Sequence, residues 1–151
     1  LDLTTLRQGF TGLELVGTPA EIGLEGPEWT APVRAELQVD RSGDQLAVRG
    51  ELSTAIGLEC SRCLTAFASS LSGELEAFAD RAGKRHQEEG ELERADEMRF
   101  HDGRQLDLRD DIRESLLLEL PMAPLCRPDC RGLCPVCGAN WNDGSCVHAA
   151  R

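Results

Sequence analysis

The residues best suited to chemistry in this chain are its cysteines. Seven occur, in two groups: Cys60 and Cys63, then Cys126, Cys130, Cys134, Cys137 and Cys146. Thiolates bind soft or borderline metal ions, pair as disulfides or act as nucleophiles. An odd count fits a closed disulfide framework poorly, and a reducing compartment leaves clustered thiols free to take metal. Cys134-Pro135-Val136-Cys137-Gly138 has the form of a metal knuckle. Its two intervening residues let both sulfurs reach one ion, and the glycine lets the backbone turn tightly behind them. Cys60-Ser61-Arg62-Cys63-Leu64 repeats the spacing without the glycine.

His148 follows Cys146 closely. Seven cysteines plus His148 give eight candidate ligands, enough for two tetrahedral sites. A single site from Cys130, Cys134, Cys137 and Cys146 is the simpler alternative, and the spacing does not choose between them. Residues 125–151 are therefore expected to form a zinc-binding tail holding one or two Zn2+ ions in a structural role. A catalytic zinc keeps an open position and a nearby base, whereas an all-thiolate set is a poor Lewis acid. No HExxH, GxSxG or glycine-rich phosphate loop occurs, and His86 and His101 read as isolated surface histidines. The chain is expected not to be an enzyme.

These ligands need a scaffold. Val33, Ala35, Leu37 and Val39 alternate with polar residues, as do Leu46, Val48 and Leu52 across a polar turn at 40–44. That pattern predicts a β-hairpin. Ile56, Leu58 and Cys60 extend the second strand into the first cysteine pair, and Phe67, Leu71, Leu75 and Ala77 mark another. Leu13, Leu15 and Val16 predict a short strand, and Gly26-Pro27 a turn. A helix is predicted over about 107–120, with Asp107 as N-cap, Leu108, Ile112 and Leu116 on one face, Leu117 and Leu120 widening it, and Pro121 as stop. The charged stretch at about 80–98 lacks apolar periodicity and reads as a flexible loop. The expected fold class is α+β: an antiparallel, barrel-like sheet over residues 1–124 with one packing helix, then the tail.

Composition narrows the partners. Sixteen Lys and Arg against 27 Asp and Glu give a net charge of −11. Such a surface disfavours direct RNA binding and accepts a basic protein more readily. The nearest approach to a basic cluster, Lys84, Arg85 and His86, runs straight into acidic residues. No apolar stretch nears the roughly 18 residues of a membrane helix, and no signal-peptide pattern is present. The expectation is a soluble cytoplasmic protein with no membrane or small-molecule partner.

Leu58-Glu59-Cys60-Ser61-Arg62-Cys63-Leu64, the helix ending in Leu120-Pro121-Met122, and the run from Leu125 and Cys126 through Cys137-Gly138-Ala139-Asn140 resemble the YceD family of large ribosomal RNA subunit accumulation proteins. The resemblance covers roughly residues 1–148 and is most specific in the tail. It implies a bacterial cytoplasmic protein needed for 23S rRNA accumulation. The implied partner is a ribosomal protein (L32, whose gene commonly neighbours the family's), a pre-50S particle or 23S rRNA. Related tails often carry a cysteine where His148 stands, and some members lack the tail cysteines altogether. Two rival functions compete with this one. A zinc-dependent transcriptional or regulatory adaptor would capture RNA polymerase or regulators rather than ribosomal components. A thiol oxidoreductase would need an exposed, low-pKa thiolate at Cys60 or Cys134.

Overall fold

The computed structural model describes residues 1–82, 98–144 and 146–148. Among the described residues, five strands, β1 (Gly9–Gly17), β2 (Val33–Ser42), β3 (Gln45–Glu59), β4 (Ala66–Arg81) and β5 (Met98–His101), form one sheet in the order β1-β2-β3-β4-β5. The β2–β3 hairpin closes with Ser42 opposite Gln45 and Gly43 at φ 65°, a conformation a side chain would strain. Strand alternation sends Val39, Val48 and Leu75 inward, and their polar neighbours to solvent.

The barrel-like, all-antiparallel expectation needs correction. β5 pairs with β4 in parallel, and the sheet is open, with β1 and β5 as its edges. Four residues give β5 no readable alternation, so the parallel pair was invisible in the sequence. β1 is also longer than expected, because its whole length pairs with β2 from Gly9↔Arg41 to Gly17↔Val33. Of the stretch at about 80–98 expected to be a flexible loop, residues 80 and 81 belong to β4 and residue 98 to β5. Residues 83–97, with Lys84, Arg85 and His86, lie outside the described residues.

The helix α1 (Arg109–Leu118) covers the inner face. Ile112 and Leu116 are buried on it, with Leu108 just before it. Leu117 is instead 44% exposed, so the apolar face is narrower than expected, although Leu120 still packs against the core. Leu108 occupies the N-cap position, and Asp107, one residue earlier, accepts a bond from the Arg109 N–H at 3.0 Å. Helix and sheet meet at Gly73 of β4, where an added Cβ would lie 3.4 Å from the Ser115 carbonyl oxygen and 3.3 Å from Glu119 Cγ. Gly50 is tighter: a Cβ there would fall 2.1 Å from the Glu36 carbonyl oxygen of β2.

A 3-10 turn (Pro19–Ile22) precedes β2, fixed by Thr18 and Glu21 in a capping box. His101, expected at the surface, is buried. Its Nδ1 accepts from the Gly103 N–H at 3.0 Å, which leaves Nε2–H to donate to the Asp44 carbonyl at 2.8 Å. Both ring nitrogens are spent on holding β5 beside the hairpin turn, so this histidine is structural. No described helix is long and apolar enough to cross a membrane.

Candidate metal centres

β3 and β4 are joined by the first cysteine pair. Its backbone forms a tight loop: the Leu64 N–H donates to the Cys60 carbonyl at 2.9 Å and the Cys60 N–H to the Thr65 carbonyl at 3.0 Å. The second pair repeats this pattern. The Gly138 N–H donates to the Cys134 carbonyl at 2.8 Å and the Cys134 N–H to the Ala139 carbonyl at 2.8 Å. The fifth residue of each loop lies at positive φ, 58° at Leu64 and 71° at Gly138. Leu64 therefore takes the left-handed conformation the motif demands without the residue that suits it, at a cost of roughly 1–2 kcal/mol. The missing glycine weakened the sequence signal but not the geometry.

The tail docks onto the first loop. The Ser61 N–H donates to the Pro124 carbonyl at 2.8 Å, the Leu133 N–H to the Arg62 carbonyl at 3.1 Å, and Arg62 Nη1 to the Cys130 carbonyl at 2.9 Å. This docking delivers Cys126 and Cys130 to Cys60 and Cys63. The four sulfurs lie within 4.8 Å of one another, with Cys60 Sγ and Cys130 Sγ 3.6 Å apart and Cys63 Sγ and Cys126 Sγ also 3.6 Å apart. A tetrahedron with metal–sulfur bonds of about 2.3 Å has edges of about 3.8 Å. Cys60, Cys63 and Cys130 are buried, and Phe67, Leu125 and Leu133 pack around them as a small core separate from that of the sheet. We call this the inner centre.

The remaining candidates gather as an outer centre: Cys134, Cys137, Cys146 and His148, with ligand atoms within 4.8 Å of one another. Cys134 is buried, Cys146 half-buried, and Cys137 and His148 exposed. All eight sequence candidates thus fall into two sets of four. The single set of Cys130 with Cys134, Cys137 and Cys146 is not the one assembled, because Cys130 belongs to the inner centre. All seven cysteines are free thiols.

Without a cation, each set divides its protons unevenly. Burial pushes the Cys60 thiol up, but donors from the Cys126, Cys63 and Arg62 backbone outweigh it and bring it to about 6. Burial and the adjacent thiols push Cys126 up to about 12. Cys63 is lowered, chiefly by the Thr65 hydroxyl, 3.3 Å from its sulfur. In the outer set, the Trp141 indole and the His148 N–H bring Cys146 down to about 6. Cys137 is favoured as a thiolate by the Ala139 N–H, but the neighbouring thiols and burial raise it overall. Donors thus lower two thiols of the inner set and one of the outer, while burial and neighbouring thiols raise one in each, and a cation shared by the four ligands would favour the thiolate at every cysteine.

Two residues with a bearing on the sites were not singled out in the sequence. Trp141 Nε1 donates to Cys146 Sγ at 3.4 Å, and Asn142 Nδ2 donates to Cys130 Sγ at 3.3 Å. Both lie in a stretch that reads as a polar turn. The available signal was a tryptophan set between two asparagines and flanked by ligands.

Residues 48–151, which contain all eight candidate ligands, match the family described as "Large ribosomal RNA subunit accumulation protein YceD". An uncharacterized protein of Mycobacterium tuberculosis (strain ATCC 25618 / H37Rv) is 36% identical over 131 residues, covering 83% of this chain and 60% of that protein. An uncharacterized Mycobacterium leprae protein is 36% identical over 126 residues, covering 80% of this chain and 55% of that protein. The chain thus spans little more than half the length of these curated relatives. The "Large ribosomal RNA subunit accumulation protein YCED homolog 1, chloroplastic" of Arabidopsis thaliana is 25% identical over 138 residues, covering 76% of this chain and 43% of that protein. No solved structure matches. The chain belongs to the YceD family.

Proposed function

We propose that this chain is a non-catalytic binding module, stapled by two zinc ions, that acts in the cytoplasm in large ribosomal subunit biogenesis and 23S rRNA accumulation. The observation that carries the reading is the family match over 48–151, the part of the chain that holds both cysteine centres. Zinc suits the donor sets, four sulfurs in one and three sulfurs with an imidazole in the other, because it is tetrahedral, borderline-soft and redox-inert. Cys60, Cys63, Cys126 and Cys130 would hold one ion and Cys134, Cys137, Cys146 and His148 the other. Four protein ligands leave no open position, so each ion supplies a cross-link rather than a reaction. The oxidoreductase reading has less support: Cys60 is fully buried and Cys134 nearly so, which keeps both from a substrate disulfide.

The partner this reading favours is a basic protein of the pre-50S particle. Strand register sets Glu14 opposite Glu36, Glu36 opposite Glu51, and Glu51 opposite Glu74, a row of four carboxylates across β1 to β4 on the exposed face. Facing like charges destabilise a sheet. Arg34 pairs with Glu14 and Arg49 with Glu76, leaving the centre of the row acidic. That face repels RNA phosphates and attracts arginine- or lysine-rich protein. The test is affinity capture from cells, with depletion alongside. Pre-50S components in the capture and a lowered 23S-to-16S rRNA ratio support the reading. Normal 23S rRNA with RNA polymerase as the captured partner would favour a regulatory adaptor instead.

A further inference from the structure

The two centres are not insulated from each other. Cys137 and Cys146 belong to the outer centre, and the stretch between them carries Trp141 and Asn142. These adjacent residues point their donors at different centres: the Trp141 indole at Cys146, the Asn142 amide at Cys130. The Asn142 amide is fully committed. Its second donor goes to Asn140 Oδ1 at 2.8 Å, and its oxygen accepts from Arg127 Nη2 at 2.7 Å and from the Arg131 N–H at 2.8 Å. The Arg127 and Arg131 contacts fix the amide so that its nitrogen, not its oxygen, faces the Cys130 sulfur. Backbone bonds anchor the same turn: the Trp141 N–H to the Gly132 carbonyl at 2.9 Å and the Asp143 N–H to the Asn140 carbonyl at 3.1 Å.

We propose that Asn142 is a positioning residue that couples the two metal centres, so that filling the outer one raises the metal affinity of the inner one. This rests on the zinc reading above. The physical route is short. A metal joining Cys137 to Cys146 closes the intervening loop and fixes the turn within it. The fixed turn holds an N–H donor against Cys130 Sγ, where it orients the sulfur and would offset the charge of a metal-bound ligand. Linkage makes the effect reciprocal: inner occupancy raises outer affinity by the same factor. Donors behind metal ligands are typically worth about 10–100-fold in affinity, and one shared donor places the coupling near the lower end, about tenfold.

The test is a double-mutant cycle on the full chain, with zinc affinity of the inner centre read by chelator competition. One arm disables the outer centre by Cys146→Ser, the other removes the amide by Asn142→Leu, and the third combines them. A Trp29→Phe background leaves Trp141 as the sole tryptophan, so its fluorescence reports the outer loop. Cobalt spectra count thiolates at each centre and confirm that the inner four remain. The expected result is about tenfold weaker inner affinity for Cys146→Ser, about the same for Asn142→Leu, and no further loss for the pair. A merely structural Asn142 would give losses that add, and independent centres would give no loss with Cys146→Ser; either result overturns the coupling. A parent chain that takes up no metal overturns the zinc reading and the coupling together, whereas two bound ions with independent affinities overturn the coupling alone. Asn142→Asp guards against a packing artefact: it keeps the shape, puts a carboxylate beside Cys130, and should weaken the inner centre more than Asn142→Leu.

Discussion

The inner and outer centres share one backbone device and differ in almost everything around it. Both begin with a Cys-x-x-Cys loop closed by the same pair of backbone hydrogen bonds. The inner loop ends in Leu64 and joins cysteines far apart in sequence, inside an apolar pocket. The outer loop ends in Gly138, draws all four ligands from residues 134–148 and leaves two of them exposed. A local, solvent-facing centre orders itself. A buried centre built from the junction of β3 and β4 and a tail more than sixty residues away ties the tail to the sheet. The two ligand sets therefore sit differently in the fold: the inner one joins the tail to the sheet, and the outer one lies wholly within the tail.

The largest effect should come from breaking the inner centre. Cys130→Ser is expected to remove one of two zinc ions and more than about 4 kcal/mol of stability, roughly 10 °C in Tm, because the metal's binding energy is spent on holding the tail. Cys146→Ser should also remove one ion but shift Tm much less. Elemental analysis with calorimetry separates the two, and equal Tm shifts would erase the distinction.

Acid should separate the centres next. Cys60 and Cys146, lowered to about 6, stabilise the folded metal-free chain above the ordinary thiol range, and that contribution is lost as pH falls through about 6. Protons also compete with metal for every ligand, so affinity falls in the same direction. The exposed outer centre should release its ion at a higher pH than the inner one in a titration followed by a zinc-sensitive dye. Release in the opposite order would contradict the assignment of the inner centre as the protected one.

Smaller substitutions probe the shared loop. Leu64→Gly relieves a left-handed leucine that is more than half exposed, and is expected to stabilise the metal-bound chain by up to about 1 kcal/mol. Gly138→Ala should cost about 1 kcal/mol from φ alone, since an added Cβ meets nothing within 4 Å. Opposite signs in paired denaturant melts support one geometry at both loops. The smallest effect lies far from either centre. The Arg109 guanidinium holds the Asp107 carboxyl at about 2, but the pair is exposed, so Asp107→Asn should change stability by less than about 1 kcal/mol above pH 4 and by still less as pH falls toward 2.

The sequence carried the local half of this picture. Alternation at Val33 to Val39 and Leu46 to Leu52 is enforced by a one-sided sheet, and the spacing of Leu108, Ile112 and Leu116 by a helix lying on it. The eight ligand candidates were legible as residue types. Their division was not, because it depends on the tail folding back onto the β3–β4 junction, a long-range contact that no spacing encodes. Leu64 hid the first loop's likeness to the second, since hydrogen bonds override a residue's own preference there. His101 misled because a polar context usually means solvent, whereas here two backbone groups replace the water. Trp141 and Asn142 went unread because their value lies in where they point.

The most direct test is metal stoichiometry by elemental analysis on reduced, cytosolically expressed protein, with the cysteines mapped by mass spectrometry. Two zinc ions per chain and no disulfide are expected, falling to one ion in Cys130→Ser and one in Cys146→Ser. A metal-free chain, or one whose cysteines are joined covalently in the folded state, would contradict it.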